Sequence, residues 1–368
     1  MRVSVVLPCQ NEEKTIKACI EKIKKTLKKD YEIIVSDSST DNSAKIAKKL
    51  GTKVIKHNKD GYGNAILQGI KQATGNYIVI GDADNTYDFT QTPQLLKYLD
   101  EGYDLVIGTR KTVEKGAMPL THKYIGTPLL NFLISKFFHK KVTDINSGFR
   151  AIKKDKLDQL NLRTGGMEFA SEMIIKAIKH NLKIKETPIT YKKRIGQSKL
   201  NTMRDGWRHL RFILLYSPNY LFLWPGLTLT ILGFLTMILL LINKLILFGI
   251  QFQTHPMFIG ATLTILGYQL ILTGISARIY SHNHLKEKDE GLEKLFSYFN
   301  LEKATLSSII LLLAGFLTYL YILIKWVSTG FGELDTINLS IFALTFLTLG
   351  FQTIFAGFLF SILGIKEN

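Results

Sequence analysis

At 368 residues the chain is long enough for more than one domain, and 46% of it is hydrophobic. Its 47 Lys and Arg against 30 Asp and Glu leave a formal charge of +17, unevenly spread: residues 218–368 hold 8 basic and 8 acidic side chains, and residues 1–217 hold 39 and 22. A basic part joined to a neutral, apolar part argues against a wholly soluble protein and for an enzyme at an anionic membrane surface, where each nearby Lys or Arg contributes about 1 kcal/mol. No nucleic-acid recognition motif accompanies the charge. The two cysteines, Cys9 and Cys19, have no CxxC spacing, which excludes a disulfide scaffold and leaves two buried thiols.

Residues 3–7 form an apolar run that predicts a buried strand, and Asn11-Glu12-Glu13 opens a helix with Ile16, Ile20, Ile23 and Leu27 on one face. Residues 32–36 predict a second strand, followed by Asp37-Ser38-Ser39-Thr40-Asp41 and a helix carrying Ala44, Ile46, Ala47 and Leu50 that Gly51 stops. Residues 53–56 predict a third strand, and Gly61-Tyr62-Gly63-Asn64 turns into a helix with Ala65, Ile66 and Ile70. A fourth strand is expected at 76–81 and a further one at 104–107. This repetition implies an α/β fold, Rossmann-like, with a mostly parallel, doubly wound sheet whose ligands bind at the carboxyl ends of the strands. The polar stretches 8–12, 37–41 and 82–84 fall at that edge and converge. Asp37 by itself fits a helix cap or a turn as well as it fits a ligand.

The fourth strand ends in Gly81-Asp82-Ala83-Asp84, two carboxylates two residues apart. On extended backbone both lean to one side, which suits Mg²⁺ or Mn²⁺ carrying a substrate diphosphate. Alone, such a pair is more often a solvated turn.

Taken together, Pro8-Cys9-Gln10-Asn11-Glu12, Ser36-Asp37-Ser38-Ser39-Thr40-Asp41, Gly61-Tyr62-Gly63-Asn64 and Gly81-Asp82-Ala83-Asp84 resemble the nucleotide-sugar domain of the inverting family-2 glycosyltransferases of GT-A fold. The dolichyl-phosphate mannose synthase type and its polyprenyl-phosphate relatives are the nearest in pattern, over residues 1–215. The resemblance implies that Pro8, Asn11, Glu12, Asp37, Gly61 and Asp82 line the nucleotide pocket and that Asp82 and Asp84 hold Mg²⁺ or Mn²⁺. It implies a carboxylate at the reaction centre among Asp84, Asp144, Glu168 and Glu172. It also implies that Arg110, Arg150, Arg194, Ser198 and Lys199 grip the acceptor phosphate. The chain departs from the pattern at Ser36, where a second acid is usual, and at Thr86, where a stronger metal ligand is usual. The third ligand stays open among Asn85, Thr86 and Asp88, and so does the base, uracil or guanine.

Residues 118–138 are apolar but interrupted, too short to span, and fit either an interfacial helix or an amphipathic helix packed on the sheet. Met203, Trp207, Leu210 and Leu214 recur at helical spacing beside Arg204, Arg208 and Arg211, as on an interfacial helix over 203–215. Four spanning helices are predicted near 220–242, 257–280, 304–326 and 338–362, making 216–368 a membrane domain. Lys286, Lys288 and Lys294 on one loop place that loop, both termini and the catalytic domain in the cytosol by the positive-inside rule.

The expected function is transfer of a single sugar, mannose or glucose, from a GDP- or UDP-sugar to a dolichyl or undecaprenyl phosphate in the cell membrane. One rival is a processive polysaccharide synthase, whose Gln-x-x-Arg-Trp motif is missing. Another is a non-catalytic lipid-sugar carrier, which the intact Asp82-Ala83-Asp84 opposes.

Overall fold

The computed structural model describes residues 2–59, 61–196, 202–242, 246–247, 250–251, 254–284 and 301–364. The chain divides into two compact units, Met1–Tyr216 and Ser217–Asn368.

The first unit opens with strands and helices in alternation: β1 (Val3–Cys9), α1 (Ile16–Leu27), β2 (Tyr31–Asp37), α2 (Ser43–Lys49), β3 (Lys53–Lys56), α3 (Tyr62–Lys71) and β4 (Tyr77–Ile80). Then come α4 (Thr92–Asp100), β5 (Leu105–Val113), α5 (Thr127–Phe137), β6 (Arg150–Lys153), α6 (Lys154–Gln159), α7 (Phe169–Lys179), β7 (Ile184–Tyr191) and α8 (Thr202–Leu215). The seven strands lie in the order β3-β2-β1-β4-β6-β5-β7. All neighbours are parallel except β6, which runs antiparallel to both β4 and β5.

Strand periodicity sorts the core into two layers. Val6, Ile34, Ile78, Ile80, Leu105 and Ile107 face α3, α5, α7 and α8. Val5, Leu7, Ile33, Val35, Val79 and Val106 face the other way, against Ile16, Ile20 and Ile23 of α1 and Leu95 and Leu99 of α4. Both faces of the sheet are therefore covered, as a mostly parallel sheet requires. Two strands were not foreseen. β6 is only four residues with a charge at each end, and β7 carries Pro188, which is tolerated because β7 is an edge strand.

The antiparallel setting of β6 has a functional effect. Ile80 at the end of β4 pairs with Arg150 at the start of β6, so the 143–149 segment enters the sheet at the edge where the six parallel strands leave it. Seven connecting segments begin or end there.

α5 has two characters. Leu130 and Ile134 are buried in the core, while Leu120, Tyr124, Ile125, Leu129 and Phe132 stay exposed on and just ahead of the helix. Lys123 stacks over Tyr124 at 5.4 Å and Lys136 over Phe132 at 5.7 Å. One face of this stretch packs on the sheet and the other is apolar and uncovered.

Among its described residues the second unit holds four helices long and apolar enough to cross a membrane: Asn219–Leu241, His255–Asn283, Leu301–Ser328 and Ile337–Leu363. The main helices are α9 (Trp224–Leu241), α10 (His255–His284), α11 (Leu301–Ser328) and α12 (Ile337–Leu363). α9 and α10 approach backbone to backbone. A side chain at Gly233 would meet the Gly260 carbonyl oxygen at 2.5 Å, and one at Gly267 would meet that of Gly226 at 2.6 Å. α11 and α12 are joined by Ser308, whose hydroxyl donates to the Gly350 carbonyl at 2.8 Å. Small residues and hydroxyl bonds are what hold helices together where lipid removes the hydrophobic drive. The Lys286, Lys288 and Lys294 loop lies outside the described residues.

Within the first unit, His209 of α8 is buried and shares a 2.6 Å hydrogen bond with Ser171 of α7. Burial holds its pKa down, from 6.5 to about 4, against the nearby Asp205. The folded state then binds fewer protons than the unfolded chain between these values, so stability falls as pH drops from 6.5 to 4, by on the order of 3 kcal/mol at full effect. Thermal melts of the detergent-solubilised chain should show a lower midpoint at pH 4.5 than at pH 6.5. His209→Gln should flatten much of that slope; an unchanged slope would refute the assignment.

Candidate active site

The turn after β4 is built from side chains of α1. The Ala83 carbonyl accepts from the Thr15 hydroxyl at 2.8 Å and the Cys19 thiol at 3.5 Å, and Lys22 donates to Asn85 at 2.7 Å, which holds Asn85 at a φ of 63°. With Ala83 turned inward, Asp82 and Asp84 share the crevice side. One Asp84 oxygen (Oδ1) accepts from the Thr86 amide at 3.0 Å and the Thr86 hydroxyl at 2.6 Å. The other, Oδ2, lies 3.2 Å from the Arg194 guanidinium. Asp82 is hydrogen-bonded by Tyr62, yet its buried Oδ1 has no partner among the described residues. Burial and then the adjoining Asp84 push the Asp82 pKa up to about 7. Gly148 leaves room for this packing: a side chain there would meet the Tyr62 hydroxyl at 2.7 Å and the Asp82 oxygens at 3.2 and 3.3 Å.

The three candidates for a further metal ligand are already engaged. Asn85 holds Lys22 and Thr86 holds Asp84. Asp88 accepts from Thr90 and, at 2.8 Å, from Lys192. Burial raises the Asp88 pKa, but Lys192 and Thr90 outweigh it and bring it down to about 2.

On the nucleotide side, Glu12 is buried and paired with Arg194. Asn11, at a φ of 55°, accepts from the Thr40 amide at 2.9 Å and so ties the first loop to the second. Pro8 lies in β1, half-buried, with Ser36 as its register partner on β2. Asp37 ends β2 only 1% exposed, and neither carboxylate oxygen has a partner among the described residues. A helix-cap role would have engaged one of them, so that reading of Asp37 falls. Gly61 is exposed and, at a φ of 112°, brings its backbone close to the segment ahead of α7, where a side chain would meet the Gly165 carbonyl at 2.3 Å.

On the acceptor side the expected residues meet different surroundings. Arg150 is 2% exposed and donates to the Ser147, Ala170 and Ile145 carbonyls at 2.8, 2.8 and 2.7 Å. It clamps the loop before β6 to α7 and is enclosed there. Glu172 is buried too. It accepts from the Arg163 and Thr164 amides and the Thr164 hydroxyl, and pairs with Lys176 at 2.7 Å, so it organises the approach to α7. Asp144 is not a free base either. It takes Arg110 in a two-pronged pair, Nε at 2.8 Å and Nη2 at 2.6 Å, with the Arg110 amide at 2.9 Å. Burial disfavours the Arg110 charge, but Asp144 outweighs that and raises its pKa. Glu168 stands at the start of α7, half-buried, with Oε2 unpartnered among the described residues. Ser198 and Lys199 lie outside the described residues.

Aromatic side chains that sequence reasoning passed over frame this floor. The Tyr87 hydroxyl accepts from the Gly148 amide at 2.6 Å, its ring stacks on Phe149 at 5.7 Å, and it meets Tyr191 edge-on at 5.3 Å. Arg110 lies over the Tyr191 ring at 5.3 Å. Beside it is a cavity of about 210 Å³ lined by Arg110, Lys111, Lys123, Thr143 and Asp144 and, on its apolar side, Met118.

Comparison with known proteins gives these features a family. The family described as glycosyl transferase family 2 matches residues 4–160, and the glycosyltransferase family 2 C-terminal transmembrane region matches 275–364. The low-salt glycan biosynthesis hexosyltransferase of Haloferax volcanii is 37% identical over 98% of this chain and 89% of its own. The chain belongs to glycosyltransferase family 2. Another relative, the dolichyl-phosphate hexose transferase of Haloferax volcanii, is 29% identical over 55% of this chain and 89% of its own. Among solved structures, glucosyl-3-phosphoglycerate synthase from Mycobacterium tuberculosis is similar at TM-score 0.49 and 23% identity, over 59% of this chain and 80% of that one. This family 2 glycosyltransferase thus pairs a GT-A-like α/β unit with four candidate membrane helices.

The glycosyltransferase should tolerate loss of charge at Glu172 better in turnover than in stability. Glu172→Gln leaves an acceptor but removes the partner of Lys176, and it should cost about 1–3 kcal/mol in thermal melts. Activity per folded molecule should stay within about 2-fold of wild type; a loss of 100-fold or more would restore a catalytic role. Asp144→Ala should behave differently, because it leaves Arg110 buried without a counter-charge, and is expected to cost about 3–5 kcal/mol.

Proposed function

We propose that this membrane glycosyltransferase moves one hexose from a nucleoside diphosphate sugar to a polyprenyl phosphate at the cytosolic leaflet, with inversion. The observation that carries the reading is the unpartnered, buried Asp82 oxygen beside Asp84 at the edge where the first, second and fourth strands end. A buried carboxylate oxygen without a donor is costly unless a ligand completes it. Two hard oxygen donors fit Mg²⁺ or Mn²⁺, which would be held by Asp82 and Asp84 with the rest of its shell from phosphate oxygens and water. When bound, such a cation neutralises charge building on the departing diphosphate.

The chain's own residues do the positioning. The unpartnered oxygens of Asp37 accept from donor groups of the nucleoside, in the same crevice as Glu12. Arg194, expected on the acceptor phosphate, lies between Glu12 and Asp84 and supplies guanidinium hydrogen bonds to the diphosphate. Across the floor, Asp144 fixes the Arg110 guanidinium in one orientation, and Lys111 and Lys123 join it around the cavity, a seat for a phosphate head. A phosphate monoester is largely a dianion at pH 7, so it attacks without a strong general base. That agrees with Asp144 and Glu172 both being engaged elsewhere. The uncovered apolar face carrying Leu120, Tyr124, Ile125 and Phe132 would lie in the lipid interface beside that seat, with Lys123 and Lys136 at headgroup level. The names of the Haloferax volcanii hexosyltransferase and dolichyl-phosphate hexose transferase support a hexose and a lipid phosphate. The lysine-rich loop supports a cytosolic catalytic unit.

The test is transfer by detergent-solubilised protein from a panel of UDP- and GDP-sugars to dolichyl and undecaprenyl phosphates. One donor and acceptor pair should give a single-sugar lipid, and Asp84→Asn or excess EDTA should reduce the rate by at least about 100-fold. A polymeric product, or full activity in EDTA, would overturn the reading.

A further inference from the structure

The two Asp84 oxygens are not equivalent. Oδ1 is capped by the amide and hydroxyl of Thr86, which leaves Oδ2 as the oxygen open to a metal. Arg194 lies on that oxygen at 3.2 Å through one guanidinium nitrogen and pairs with Glu12 through another. One cationic fork thus bridges carboxylates that arrive from two different strands. The segment carrying it is fastened to the metal turn at three further points. Tyr191 bridges to Tyr87, the Lys192 amide donates to the Thr86 carbonyl at 2.8 Å, and the Lys192 ammonium pairs with Asp88 at 2.8 Å. The Lys193 amide also donates to Glu114 at 2.6 Å.

This arrangement answers an electrostatic need. Glu12, Asp82 and Asp84 bring three acidic groups into one buried crevice, and like charges there repel strongly unless a cation is present. Arg194 provides that cation from within the chain. A divalent ion drawn to the same Asp84 oxygen would sit against the guanidinium, and two cations side by side on one oxygen repel. An ion arriving alone would displace the guanidinium and leave two cations close to one another with no new anion. A nucleoside diphosphate arriving alone would meet Glu12, Asp82 and Asp84 bare of metal. Arriving together, the ion takes Asp84 and the diphosphate gives Arg194 a new partner.

We propose that Arg194 is a built-in stand-in for the divalent cation, so that the enzyme takes up metal and nucleoside diphosphate as one ligand and binds free metal poorly. This rests on the assignment of Asp82 and Asp84 as the metal-holding pair. Arg194 has two seats, Asp84 with Glu12 when the donor is absent and the diphosphate when it is present. Coupling of this kind is reciprocal: the nucleotide tightens the metal by the factor by which the metal tightens the nucleotide.

The experiment is titration of Mn²⁺ into the detergent-solubilised full chain, followed by electron paramagnetic resonance, with and without UDP or GDP. Wild type should bind Mn²⁺ at least about 5-fold more tightly with one of the nucleotides than without, the lower end of ordinary coupling between sites. Arg194→Met should bind free Mn²⁺ at least about 5-fold more tightly than wild type and lose most of the nucleotide effect, while its nucleotide affinity falls. Such opposite signs do not follow from general damage to the fold. A second reading uses the wild-type chain alone: Mn²⁺ without nucleotide should speed tryptic cleavage after Arg194, because the ion frees that side chain. Arg194→Met binding free Mn²⁺ no more tightly than wild type would overturn the stand-in, as would cleavage indifferent to Mn²⁺. Asp84→Asn separates the two assignments. If it abolishes Mn²⁺ binding while Arg194→Met changes nothing, the metal pair stands and the stand-in falls; if Asp84→Asn binds Mn²⁺ as wild type does, or no protein binds it, both fall.

Discussion

Crowding of negative charge at one dry edge of the sheet is the constraint around which the catalytic unit is arranged. Parallel strands deliver their carboxyl ends, and hence their loops, to the same side, and here those loops carry Glu12, Asp37, Asp82 and Asp84. Each acidic group is handled differently. Glu12 and Asp84 share Arg194, Asp84 is further capped by Thr86, Asp82 leans on Tyr62, and Asp37 keeps both oxygens without a partner among the described residues. Groups tied into the fold set the geometry, and groups left unpaired are where a ligand gains most by binding.

The opposite side of the crevice is organised by opposite charge. Arg110 and Arg150 stand on the neighbouring strands β5 and β6, and their fates diverge according to their neighbours. Arg110 meets a carboxylate and keeps one flank beside a cavity, over the ring of Tyr191. Arg150 meets three backbone carbonyls and is enclosed. A guanidinium placed among carbonyls fastens chain segments; one placed beside a cavity and oriented by an acid is presented to a substrate.

This divergence also marks how far the sequence could be read. The alternation of apolar runs and helical stripes over the first hundred residues is strong local information, and the parallel half of the sheet follows from it. Asp82 and Asp84 were legible because a strand end dictates where they point. β6 was not, since four residues of Arg-Ala-Ile-Lys carry no period, and its direction is decided by pairing with strands far away in the chain. The partners that enclose Arg150 and Glu172 were not legible for a related reason. Their residue types suit a phosphate site or a base, but Ala170 lies 20 residues from Arg150, and Arg163 lies 9 before Glu172. The four apolar helices were legible within a few residues, because length and freedom from charge are properties of the segment itself.

The bond between Glu12 and Arg194 joins residues 182 positions apart. Most of the sheet can assemble from short-range units as the chain emerges, but the crevice has no closing wall until β7 pairs with β5 at the far edge. By then synthesis has reached the threshold of the first apolar helix. Completion of the catalytic pocket and delivery of the chain to the bilayer are thus adjacent events in the life of the nascent polypeptide, and a half-made enzyme carries the acidic loops of β1 and β4 without the arginine that quiets them.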